Sequence, residues 1–415
     1  MKLVALAYLQ FGPYHAARLR ACQNRTPGWQ VAGIGMAATQ SEYAWEQASQ
    51  PDVFHVAQDV PLEQVSKSSW PGRVRAALAS IKPDVCAVAG YSHPAMLSLI
   101  RECSRSSIPW ILMSDSQEID EPRRAVQEFL KSRIAGLASA GFAAGSPHVD
   151  YLEKLGLPRE LCSTGYDVVD NDHFSTGAAR WRAIGAGPGS RNYFLASNRF
   201  IAKKNLHRML EAYRDYSHDP VGGKNAGTWD LCLLGDGELK AELLTACGDL
   251  GLQAAGCAPW EQQSPPGTAM IPTVFFPGFR QIQDLPRFYA GAGAFVHAST
   301  TEQWGLVVNE AMASSLPVLV SERCGCARDL VSEGENGWTF APWNVAALSS
   351  LMARVSALGE AARKEMGEAS RRIIGSWSPE RFADGLIQAA GTAFQQGAKP
   401  ASAIDLALIE LLIRR

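Results

Sequence analysis

The stretch TEQWGLVVNEAMASSLPVLV, Thr301–Val320, runs from a loop into a helix and then into a strand. Gly305 stands where the helix would begin, and Glu302 and Glu310 lie eight positions apart on either side of it. An apolar run, Gly291–Ala298, enters the loop as a strand. Strand, loop, helix and strand again form the half of an α/β unit that can cradle an anion. The first N–H groups of a helix have no intrahelical partner, and the helix dipole is positive at that end.

Outward from this stretch the same alternation recurs. Toward the N-terminus, Lys2–Tyr8, Trp29–Ile34, Val53–Val56, Pro83–Ala89, Ile108–Met113 and Ala140–Ala144 read as strands. Helical patterns fall at His15–Cys22, Gly72–Ile81, Pro94–Ser104, from Pro122 onward, and at His148–Leu155. Strands alternating with helices predict parallel, doubly wound sheets. After the polar DVVDNDHF (Asp167–Phe174) the texture turns rich in Gly, Ala and Ser, and 176–191 reads as a linker. Alternation then restarts with Asn192–Ser197. Gln253–Pro272, with four prolines, reads as an inserted loop. The expected organisation is an N-terminal Rossmann-like domain (1–175), the linker, a C-terminal Rossmann-like domain (192–378), and helices over 379–415 that cross back to the first domain. In open parallel sheets ligands sit beyond the carboxyl ends of the strands.

Composition narrows the class. At 415 residues, 47% hydrophobic and 19% charged, the chain is that of a globular protein of two or three domains. A net charge of −2 argues against nucleic acid, so an anionic partner would be held by a local cation cluster. Nine cysteines without Cys-x-x-Cys spacing or an accompanying His cluster read as reduced thiols, and no metal site is expected. The opening MKLVALAYLQFG lacks a small-residue cleavage site and reads as a first buried strand. No apolar run reaches membrane-spanning length. The expected setting is cytoplasmic, with peripheral contact at the inner face of the membrane as an option, and a monomer or homodimer.

Arg199 and Lys204, with Lys203, follow the strand YFLAS and lead into a helix, which makes a local anion site. Set against the helix start at Gly305, Leu306 and Val307, this suits a diphosphate. Glu310 could then accept the hydroxyls of a ribose, and Glu302 those of a second sugar.

At this point a family becomes visible. EQWGLVVNE (302–310) followed by AMA and LPV resembles the Glu-x7-Glu motif of retaining glycosyltransferases of family 4. FFPGF (275–279), GDGELKAEL (235–243), ASNRFIAKKN (196–205) and NGWTF (336–340) extend the resemblance. In the N-terminal half MSDS (113–116), GSPHVDYLEKLGLP (145–158) and GYDVVDNDHF (165–174) add to it.

The resemblance implies a GT-B fold, two Rossmann-like doubly wound domains facing across a cleft, and transfer of a sugar from a nucleotide-sugar donor with retention and without a metal or other cofactor. The acceptor would be a glycan, a lipid-linked sugar or a small molecule. Arg199 and Lys204 would hold the donor diphosphate, Glu302 the transferred sugar and Glu310 the ribose. Gly305, Leu306 and Val307 would face the phosphate, and Phe279 would border the base.

Three positions depart from the pattern. Trp304 replaces a common Phe and would reshape the sugar pocket. Gly12 is followed by Pro13 where many members have a Gly-Gly pair, which brings His15 forward as a substitute. Asp115 stands where many members carry His, with Ser116 and His93 as competitors. Arg123 is a further candidate on the acceptor side. The same fold could also serve a nucleotide-sugar epimerase or a non-catalytic sugar-nucleotide-binding protein.

Other signals read as structural. Gly33-Ile-Gly35 fits a dinucleotide fingerprint loosely, but it does not follow the first strand, and no acidic residue about 20 further on is well placed. Asp170-Asn-Asp172 reads as a turn. IDLALIELLIRR (404–415) is apolar almost all round and reads as a helix packed on the N-terminal domain.

Overall fold

The computed structural model describes residues 1–25, 28–39, 53–58, 60–185, 192–218, 227–262 and 271–415. Two compact units emerge, one of Met1–Val169 with Trp377–Arg415 and one of Asp170–Ser376.

The first unit runs β1 (Lys2–Tyr8), α1 (Pro13–Arg25), β2 (Trp29–Ala37), β3 (Val53–Ala57), α2 (Trp70–Ile81), β4 (Val85–Ala89), α3 (Pro94–Arg105), β5 (Trp110–Ser114), α4 (Ala125–Ala135), β6 (Ala140–Ala143), α5 (Ser146–Lys154) and β7 (Cys162–Thr164). Its seven strands are ordered β3-β2-β1-β4-β5-β6-β7, with every pair parallel. Helices cover a parallel sheet on both faces, so its strands read as continuous apolar runs; β1 is buried from Val4 to Tyr8.

The second unit runs α6 (Asn171–Ile184), β8 (Tyr193–Ser197), α7 (Leu206–His218), β9 (Asp230–Leu234), α8 (Lys240–Asp249), β10 (Gln253–Ala255), β11 (Thr273–Gly278), α9 (Leu285–Gly291), β12 (Ala294–His297), α10 (Leu306–Ala313), β13 (Val318–Ser321), α11 (Ala327–Leu330), β14 (Gly337–Phe340), α12 (Val345–Ala357) and α13 (Glu360–Gly375). Its parallel strands are ordered β10-β11-β9-β8-β12-β13-β14. Both sheets thus reverse direction of winding beside their first strand, at β1/β4 and at β8/β12. At such a switch point two strand-end loops diverge and leave room for a ligand.

The chain closes with α14 (Pro379–Gln396) and α15 (Ala403–Arg414), both in the first unit. The apolar tail is tied down there. Ile409 and Ile413 are 1% exposed within the first unit's core, and Arg133 and Arg101 pair with Asp405 and Glu410. Among the described residues no single helix is long and apolar enough to cross a membrane.

The structure corrects several sequence expectations. The linker expected over 176–191 is helix as far as Ile184, and 186–191 fall outside the described residues. Asp170 caps that helix by accepting the His173 N–H at 3.1 Å. Gly177 looked like linker composition but serves a close approach: a Cβ there would lie 2.7 Å from Pro286 of α9. Asp170-x-Asp172 is therefore a helix start. Gly33 and Gly35 lie inside β2, not in a loop. Gly291 ends α9, so the strand expected over Gly291–Ala298 shortens to Ala294–His297. The expected inserted loop contains β10, and its residues 263–270 are outside the described set.

Candidate functional site

The strand order of the second unit brings together residues that are about a hundred positions apart in the chain. β12 pairs with β8, in register at Ala294↔Phe194 and Phe295↔Leu195, so the loops leaving their carboxyl ends are neighbours. The β8 loop makes a single 3-10 turn, Ala202–Lys204, and Asn205 then adopts φ +59° before α7. The buried Asn205 carboxamide donates to the carbonyls of Ala298 (3.1 Å) and Pro342 (2.7 Å). Thr300 N–H donates to Lys203 O at 2.9 Å. These bonds fix the backbone from which the charged side chains project.

Glu302 is the centre of the cluster. Its carboxylate accepts a bond from Lys204 Nζ, lies 3.6 Å from Lys203 Nζ, and is 3.3 Å from both His297 Nε2 and Ser299 Oγ. Burial alone would push its pKa up. The His297 bond and the charges of Lys204, His297 and Lys203 outweigh burial and hold it well below the usual carboxylate range. His297 is fully buried, which pushes its own pKa down against the pull of Glu302. Two lysines share one carboxylate, so the loop keeps an excess of positive charge. Arg199 is exposed at the start of the same loop.

Gly305 precedes α10 with φ +106°, a conformation closed to most side chains. Added atoms would meet nothing closer than 3.5 Å, so the backbone angle and not space demands glycine. Leu306 and Val307 are half-buried at the helix start. Glu310, on α10, is 2% exposed and accepts from Tyr289 Oη at 2.7 Å. Phe279, after β11, is 41% exposed.

Trp304 differs from the sequence expectation of a pocket wall. It is 2% exposed, and its Nε1–H donates to Asn309 Oδ1 at 2.9 Å. An indole N–H needs a partner once buried, and here that partner is on α10, so the ring pins the loop to the helix. Residue reasoning passed over His297, Ser299 and Tyr289. A histidine closing an apolar strand that ends in a glutamate-bearing loop was the available signal for the first.

In the first unit the candidates scatter. At the β1/β4 switch point His15 Nδ1 accepts Gly12 N–H at 3.0 Å, so a neutral imidazole would carry its proton on Nε2. Burial, with the nearby charge of Arg18, lowers the His15 pKa to about 3. His93 is the N-cap of α3: its Nδ1 accepts Ala95 N–H at 3.1 Å, and Pro94 takes the first helical position. Asp115 and Ser116 are half-buried after β5, where Ser116 N–H donates to Ser114 Oγ at 3.2 Å. Arg123 is tied to its own surroundings. Its guanidinium bonds the carbonyls of Gln117 and Glu118 and lies 4.5 Å over the Tyr151 ring. Arg18 on α1 stands out in no local pattern, yet it is 2% exposed. It pairs with Asp167 at 3.1 Å and donates to Val168 O.

Comparison with known proteins adds three findings. Residues 269–373 match the family model of glycosyl transferases group 1, a span that contains Phe279, Glu302, Trp304, Gly305 and Glu310 but not Arg199 or Lys204. Among curated proteins, sulfoquinovosyl transferase SQD2 of Arabidopsis thaliana is 33% identical over 111 residues, covering 26% of this chain and 21% of that protein. Lipopolysaccharide core biosynthesis glycosyltransferase LpsE of Rhizobium meliloti is 24% identical over 238 residues, 56% of this chain and 58% of its own length. The chain thus spans between about a fifth and three-fifths of the curated relatives it matches.

Solved structures match over nearly the whole chain. Sucrose-phosphate synthase from Thermosynechococcus elongatus superposes with a TM-score of 0.69 at 16% identity, over 95% of this chain and 100% of that one. The Anabaena protein HepE in complex with UDP and glucose gives 0.67 at 17%, over 94% and 99%. Two parallel-sheet α/β units and these neighbours make the fold GT-B, and residues 269–373 of the second unit are similar to the glycosyl transferases group 1 model.

Proposed function

We propose that the chain is a retaining glycosyltransferase that moves a sugar from a nucleotide-sugar donor to a glycan, lipid-linked or small-molecule acceptor. In this reading it needs no metal and no cofactor beyond the donor, and it works in the cytoplasm. The observation that carries the reading is the pair Lys203 and Lys204 converging on Glu302 beside the start of α10.

Breaking the anomeric C–O bond leaves a nucleoside diphosphate with growing negative charge. Arg199, Lys204 and the amides of Gly305, Leu306 and Val307 would meet that charge. Preorganised donors of this kind are often the largest catalytic contribution. As the phosphate arrives, Lys204 exchanges its bond to Glu302 for one to the phosphate. The freed Glu302 carboxylate, kept ionised by its surroundings, accepts hydroxyls of the transferred sugar. Glu310 takes the ribose hydroxyls, and Phe279 offers an exposed ring to the base. The departing phosphate oxygen would take the acceptor's proton on the same face, so no side-chain base is assigned.

The test is incubation with UDP-, GDP- and ADP-sugars, with and without acceptor mixtures, in EDTA. The reading expects acceptor-stimulated nucleotide release that survives EDTA and is abolished in Glu302→Gln, with a product of the donor's anomeric configuration by NMR. Conversion of the donor sugar without acceptor would overturn it in favour of an epimerase. Nucleotide binding without turnover would leave only a binding protein.

A further inference from the structure

The second unit has another concave site, at the amino ends of its strands. A cavity of about 1160 Å³ is lined by Asn192 and Tyr193 at the start of β8, by Gly293 before β12 and by Pro317 before β13. The five residues of β8, roughly 13 Å of strand at about 3.3 Å per residue, separate it from the Arg199–Lys204 loop at the other end. Its volume is at or above the ~300–1,000 Å³ usual for small-molecule sites.

The lining is cationic. Arg182 comes from α6, Arg287 from α9, and Arg363, Lys364, Arg371 and Arg372 from α13, against two acids, Glu360 and Glu368. Six cations to two acids is a concentrated excess in a chain whose net charge is −2. Neutralisation is only partial: Arg372 pairs with Glu335, and Glu360 interacts electrostatically with Arg363. Glu360 and Glu368 flank Lys364 at i−4 and i+4, the spacing at which helix ion pairs form. Yet among the described residues neither Lys364 nor Arg371 has a carboxylate partner. Among the described residues Arg372 is the one lining cation in a salt bridge, with Glu335 at 3.0 Å.

Other cations are held in place. Arg287 lies between two indoles, 4.6 Å from the Trp181 ring and 4.2 Å from that of Trp260. Arg182 donates to Ser314 O at 2.6 Å, and burial lowers its pKa. Arg363 bonds Leu358 O and lies 5.0 Å over Trp229. Guanidinium groups fixed by stacking and carbonyl bonds keep free N–H donors in set directions, the arrangement that suits phosphate oxygens.

We propose that this amino-end cavity is a second ligand site, which takes a multiply phosphorylated small molecule independently of the carboxyl-end loops. The proposal goes beyond the transferase reading and does not depend on it.

The experiment is calorimetric titration of inorganic tripolyphosphate into the full chain carrying Lys204→Ala, so that the heat reports the amino-end cavity. Saturable binding is expected, with an affinity that falls as salt rises. Adding Lys364→Gln with Arg371→Ser weakens it by about tenfold or more, since two charge-assisted contacts are removed. Arg371→Lys keeps most of it. Both positions are exposed, so the thermal midpoint stays put and a folding defect is separated from a binding one. Absence of saturable binding overturns the proposal, as does binding that the double variant leaves unchanged. Attachment to anionic phospholipid vesicles that depends on Lys364 and Arg371, with no tripolyphosphate binding, overturns it in favour of a membrane surface.

Discussion

The two switch points are built on the same strand plan and treat charge in opposite ways. In the first unit Arg18 is buried, answered by Asp167, and stacked near the rings of Tyr166 and Phe382. The adjacent His15 is held neutral by burial. Charge there is internal and balanced, and it locks α1 to the segment after β7. In the second unit two lysines converge on Glu302, whose side chain keeps 12% of its surface exposed. That cluster is unbalanced and reachable. A topology therefore supplies two equivalent strand-end positions, and the local charge inventory differs between them: balanced in the first unit, in positive excess in the second.

The comparison breaks most sharply if the first unit's lock proves weak. Asp167→Ala strands the Arg18 charge in the interior, and urea unfolding should register a loss of about 3–5 kcal/mol. A change near zero would show that the pair does not hold the unit. Next in size is the second unit. Lys204→Ala should lower the rate of nucleotide release by about 10²–10³-fold, the usual cost of one preorganised donor. Stability should fall by less than in Asp167→Ala, because Lys204 is 12% exposed and, although it pairs with Glu302, Lys203 and His297 remain beside that carboxylate. If stability fell and the rate did not, the lysines would be structural there as well. Trp304→Phe leaves Asn309 Oδ1 without its indole partner. A destabilisation of about 1–3 kcal/mol is expected, and a change confined to donor preference would return Trp304 to the pocket.

The smallest effect concerns His15. Its folded pKa of about 3 lies below the ordinary 6.5. Between those values the unfolded chain binds a proton that the folded chain refuses, so stability drops as pH is lowered through that window. His15→Gln should flatten thermal midpoints measured from pH 6.5 to pH 4; an unaltered slope would show that the ring is accessible to protons.

Much of this architecture is legible in the chain. Continuous apolar runs such as β1 and β5, and the Gly-bounded helices after them, announce a buried parallel sheet. Gly305 marks a positive φ, and Arg199, Lys203 and Lys204 fall on one strand-end loop. The misses share one cause. α6 was hidden because Gly177 and its alanines look like linker until the helix is seen pressed on Pro286. The role of Trp304 is not legible locally, because nothing nearby reveals that Asn309, five residues on, takes its N–H.

By itself the sequence determined what periodicity and residue chemistry carry over short distances: strands, helices, the loop between Glu302 and Glu310, and its likeness to a family. Tertiary structure alone decided which distant groups meet. Strand order set Lys204 against Glu302 and put the buried His297 beside them. It also gathered the cations of α6, α9 and α13 into one cavity. The reason is physical: local patterns fix dihedrals and faces, whereas the neighbour of each strand end is settled by the packing of the whole sheet.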